Sequence, residues 1–89
     1  MSQRRKAHNR PELLDVKLSE LAALIKEVSA HARVEISLAR YEDEDAHVHV
    51  YLPPGAEEEE VRRIDLALGA RCNDILVDTG LFILGAVYE

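Results

Sequence analysis

Residues 34–52 constrain the fold more than any other stretch. Val34, Ile36 and Leu38 alternate with Glu35, Ser37 and Ala39. Past the acidic run Glu42-Asp43-Glu44-Asp45, Ala46, Val48, Val50 and Leu52 alternate with His47, His49 and Tyr51. Strict period two on both sides of a polar turn is the pattern of a β-hairpin with one buried face. Both apolar sets fall on even numbers, and a slip of one residue would turn half of them to the wrong side. Pairing therefore sets even against even. Either Leu38 faces Val48, leaving a loop of 42–44, or it faces Val50, leaving a loop of 42–46.

Helical spacing brackets the hairpin. Asn9, Pro11 and Glu12, or Asp15 a little later, suit a helix start. Leu14, Leu18, Leu21, Ile25 and Val28 then form one apolar stripe on a helix expected over 14–32. At 1.5 Å per residue it spans roughly 28 Å, long enough to lie along strands of roughly 23–26 Å. Pro53-Pro54-Gly55 stops the second strand, since neither proline donates to a ladder. Glu57 to Glu60 open a second helix, where carboxylates meet the positive end of its dipole. Val61, Ile64, Leu68, Cys72 and Ile75 keep phase, so this helix is expected to run through about Val77 and stop at Gly80, in spite of Gly69 and Asn73-Asp74. The alternative ends it near Cys72 and makes 75–77 a short strand.

The closing segment does not alternate. Leu81, Phe82, Ile83, Leu84, Ala86, Val87 and Tyr88 are all apolar or aromatic, interrupted by Gly85, which suits a bulge or a close backbone approach. A strand apolar on both sides is normally covered on both. The order α-β-β-α-β gives an α+β two-layer sandwich, a small, mostly antiparallel three-stranded sheet with two helices on one face. The other face then needs a cover. A second copy of the chain is the simplest one, so those seven residues are the expected self-association set and a homodimer the expected state, with another protein partner as the alternative cover.

Charge divides the chain unevenly. Arg4, Arg5, Lys6 and Arg10 put four of the 11 basic side chains in the first ten residues, which hold none of the 17 acidic ones. Residues 1–10 are expected to be a disordered basic arm and 11–89 one domain. The acidic body should repel nucleic acid, although Arg4, Arg5, Lys6 and Arg10 are the residues that would touch phosphate. There is no apolar run long enough for a membrane helix and no secretory segment at the start. The single cysteine, Cys72, suits a cytoplasmic location and, on an inward helical stripe, a buried thiol.

No motif names an activity. The chain lacks a phosphate loop, a CxxC, dinucleotide glycines and a recognisable nucleophile arrangement, which favours a non-enzymatic interaction or regulatory module without a cofactor. His47 and His49 share a strand face roughly 6.5–7 Å apart, close enough to hold one divalent metal ion, with Glu35 or Tyr41 of the partner strand as a third group. A metal-binding protein or metal-dependent enzyme is the alternative that follows. The acidic clusters 42–45 and 57–60 lie a strand length apart and lack the glycine spacing of a calcium loop. Asp43-x-Asp45 ahead of a strand, in an α-β-β-α-β order, resembles minimal nucleotidyltransferases of the polymerase-β type across 34–52. That family has a Gly-Ser pair after its first strand where this chain has Ala39-Arg40. The resemblance therefore implies a degenerate domain without the phosphate-holding turn.

Overall fold

A computed structural model describes residues 10–39 and 42–88, with the backbone alone at Arg10. Its elements are α1 (Arg10–Val28), β1 (Arg33–Ser37), β2 (Ala46–Tyr51), α2 (Glu58–Thr79) and β3 (Ile83–Tyr88). This is the expected α+β order. Both helices lie on one side of a three-stranded sheet ordered β1-β2-β3.

α1 buries Leu18, Leu21 and Ile25 and half-buries Leu14 and Val28, so the stripe faces inward as its spacing requires. It stops at Val28 rather than continuing to Ala32. Ser29 N–H still reaches Ile25 C=O at 2.8 Å, but Ala32 N–H turns back to Ser29 C=O at 3.2 Å. The Lys26 ammonium takes the Ala32 carbonyl, closing the turn into β1. Arg10, expected in the basic arm, is the first helical residue, and Arg4, Arg5 and Lys6 lie outside the described residues.

α2 is one helix, and its unbroken stripe outweighs Gly69 and Asn73. Ile64, Leu68, Cys72 and Ile75 are buried along it. Gly80, at φ 78°, caps its end and donates to Leu76 C=O at 2.9 Å. The Thr79 hydroxyl donates to Ile75 C=O at 2.6 Å and accepts from Leu81 N–H at 3.1 Å, a stop signal beside the glycine that spacing did not single out.

β1 pairs antiparallel with β2, and β3 pairs parallel with β2. The sheet is mixed, not mostly antiparallel. A helix the length of α2 carries the chain back along the sheet to the end where β2 began, so β3 must run the same way as β2. The hairpin register keeps even against even, but neither expected alignment occurs. Ile36 faces Val48, Val34 faces Val50, and β1 ends at Ser37. Leu38 lies beyond the ladder, 60% exposed. In the wider tip Glu44 folds inward, only 4% exposed, and its carboxylate accepts from Glu42 N–H at 3.0 Å and pairs with His47.

The core lies between layers. Val48, Val50 and Ala46 of β2 and Ile83 of β3 meet Leu21, Ile25, Ile64 and Leu68. Gly85 marks a close approach, though not of two backbones. A Cβ there would stand 2.5 Å from both Cγ and Cδ2 of Leu68. No helix among the described residues is long and apolar enough to cross a membrane.

Candidate functional site

Side chains on a strand alternate, so the set opposite the core forms the outer face of the sheet. Register sorts it into three rows: Arg33, Tyr51 and Tyr88; Glu35, His49 and Ala86; Ser37, His47 and Leu84. Both helices pack on the other side. Leu84 and Tyr88 are 41% and 42% exposed there.

Four rings form a near-parallel cluster across β2 and β3. Ring centroids are 5.9 Å apart for His47 and His49, 5.7 Å for His49 and Tyr88, and 5.2 Å for Tyr51 and Tyr88. The Arg33 guanidinium stands 4.5 Å over the Tyr51 ring and also pairs with Glu35. Glu44 Oε2 is 2.8 Å from His47 Nε2, a bond from a carboxylate that is otherwise out of water. His49 Nδ1 is buried in the cluster with no hydrogen-bond partner among the described residues.

The expected metal set is brought to one face but not into one coordination group. Glu35 stands directly opposite His49, yet its carboxylate goes to Arg33, and His47 is engaged by Glu44. Among the described residues no group of three histidine, cysteine, aspartate or glutamate side chains is placed to hold a metal ion. Tyr41, the other suggested third group, lies outside them, as does Arg40 of the Ala39-Arg40 pair. Of the two aspartates in the polymerase-β-like spacing, Asp43 is exposed. Asp45 is tied to the start of β3: its carboxylate accepts Phe82 N–H at 2.8 Å and its own N–H donates to Phe82 C=O at 2.6 Å. That double bond extends the β2–β3 contact by one residue, a role aspartate spacing could not reveal.

The expected self-association set divides. Leu81 and Ile83 are core residues, because the strand enters the sheet with those side chains turned toward the helices. Val87 is half-buried against the same core. Phe82 is partly covered, and Leu84, Ala86 and Tyr88 point to the outer face. Cys72 is buried in α2, and burial pushes its thiol pKa up, the environment of an inert thiol rather than a nucleophile.

No protein-family model, no curated protein and no solved structure matches this chain.

Proposed function

We propose that this chain is a non-enzymatic interaction module that self-associates through its C-terminal strand region. The observation that supports it is the exposure of Leu84 and Tyr88 on a strand segment that carries no charge from Ile83 to Tyr88. The surrounding face has one arginine and one glutamate, already paired, within a chain of net charge −6. Two like-charged copies meet most cheaply where each is locally neutral, and interface cores are depleted of charge in the same way.

Light scattering after size exclusion tests it. The intact chain should elute as a dimer at micromolar concentration, and Leu84→Glu should elute as a folded monomer with an unchanged circular dichroism spectrum. A monomer over the whole concentration range would remove the proposal.

A further inference from the structure

We infer that a second copy of the chain packs on the outer side of the helix layer, α2 against α2, antiparallel about a two-fold axis at Ala70. This contact lies on the far side of the molecule from the outer sheet face and does not rest on the self-association through β3 proposed above. At about 100° per residue, Leu66, Ala70 and Val77 fall within about 40° of one another. They occupy the side of α2 away from its buried stripe of Ile64, Leu68, Cys72 and Ile75. Val77 and Leu66 are 75% and 65% exposed, more than any other large apolar side chain described. One such residue on a surface is ordinary. Two on one line, with exposed Leu76 beside them and an alanine between them, form a seam for a second helix.

Charge selects the occupant and its direction. The outward part of α2 is basic at Arg62 and Arg63 and acidic further on at Asp74 and Asp78, all exposed. A parallel copy would set Arg63 beside Arg63 and Asp74 beside Asp74. Reversed about Ala70, Arg63 comes between Asp74 and Asp78 of the second copy, and symmetry repeats the match. On the other flank Leu66 meets Asn73 and Leu76 of the second copy. Val77 then stands over a shallow hollow of its partner lined, among the described residues, by Glu59, Arg62, Arg63 and Leu66. Those four positions are spaced i, i+3, i+4, i+7, the socket that takes a knob from a facing helix.

The neighbouring helix fits the same axis. Ser29, just past α1, donates to Glu60 in the first turn of α2 at 3.0 Å, which sets the two helices level there. Each helix reverses into the strand after it, and β1 and β3 run in opposite directions, so the helices do too. About ten residues from that bond, at 1.5 Å per residue along each helix, Ser19 stands level with Ala70. The axis therefore reverses α1 about Ser19, whose exposed neighbours on the outward side are Glu12, Val16, Ala23 and Lys26. Glu12 is set toward Lys26 of the second copy and Val16 toward its Ala23, so no bulky pair collides. Both sheets remain on the outside of a four-layer pair. With alanine and serine at its centre and few large apolar side chains, the contact is weak, with a Kd on the order of 0.1 mM.

Sedimentation velocity on the full chain carrying Leu84→Glu, which removes the β3 contact, isolates this one. That protein should be monomeric at about 10 µM and predominantly dimeric near about 1 mM. Leu66→Glu and Arg63→Glu, both at exposed positions, should each weaken the pair at least about tenfold with an unchanged circular dichroism spectrum. Arg63→Glu combined with Asp74→Arg and Asp78→Arg should restore it, because exchanging both signs preserves the antiparallel match. A monomer at every concentration, pairing indifferent to Leu66→Glu, or charge reversal without rescue would each overturn the inference. Failure of the β3 contact is separate: the unaltered chain would be monomeric at about 10 µM and still pair near about 1 mM.

Discussion

Gly85→Ala isolates the tightest contact between the two layers. The backbone there is ordinary strand, so alanine is not strained by its own torsions, and by reducing unfolded-state freedom it should contribute about 0.4–1 kcal/mol in favour of folding. Against that stands the approach to Leu68. The new Cβ would lie 2.5 Å from Cγ and Cδ2 and 3.2 Å from Cδ1, where carbon atoms prefer about 3.5–4.0 Å. Relief requires the branch point of Leu68, not merely one methyl, to retreat by about 1 Å. Leu68 is 1% exposed and wedged among Ile64, Val48 and their neighbours, so α2 must lift or neighbours must leave their rotamers. Overpacking of this kind costs about 1–3 kcal/mol, which exceeds the backbone gain. A net loss of about 1–2 kcal/mol corresponds to a fall in Tm of roughly 5–15 °C for a domain of this size. Urea denaturation at submicromolar protein measures it. Gly69→Ala on the same helix should move the other way, raising stability by about 0.5–1 kcal/mol under those conditions. Leu68→Val should also be less damaging in the Gly85→Ala background than alone, the non-additivity expected of touching residues. A Gly85→Ala protein as stable as the parent would refute the close approach.

Two further outcomes follow from the described contacts. Asp45→Ala should destabilise the fold by about 1–3 kcal/mol, since it strands the Phe82 N–H that the carboxylate accepts, with Asp45→Asn recovering part of the loss in the same denaturation assay. Cys72 has a folded pKa raised above its ordinary 9.0, so the native state holds the thiol proton more tightly than the unfolded chain does. Stability from this group is therefore complete below about pH 9 and is lost as pH rises past the unfolded value toward the folded one. Cys72→Ala should remove that slope from urea midpoints measured between neutral and alkaline pH.

Much of this fold was legible because periodicity is a property of one face. The stripe through Leu18, Leu21 and Ile25, the longer one through Ile64, Leu68, Cys72 and Ile75, and the β2 half of the even-numbered hairpin set are buried as their spacing demands, whereas Ile36 and Leu38 of the same set are 45% and 60% exposed. Parity was also legible in the register, because a single-residue slip would expose the Val48 and Val50 side chains. The exact alignment was not, since both larger and smaller even shifts satisfy the same pattern. The observed alignment goes with an inward-turned Glu44 bonded to His47, and nothing in local composition separates that residue from Glu42 or Asp43. The direction of β3 depends on where α2 ends relative to β2, a property of the assembled layers rather than of the strand. The candidate site was legible only in part. Alternation put His47, His49 and Tyr51 on one outer face, but the ring contacts with Tyr88 arise across a parallel pairing that the letters do not encode. Leu81 and Ile83 were drawn into the self-association set because an unbroken apolar run carries no sign of which side its first residues take.

The parallel pairing has a kinetic corollary. β1 and β2 are joined through a short tip and can zip locally, whereas the bonds that tie Asp45 to Phe82 close a loop of 37 residues. Until α2 has formed and folded back, β2 remains a frayed margin with Val48 and Val50 partly wetted, so a nascent chain released before Tyr88 emerges would own both helices and still lack a finished sheet.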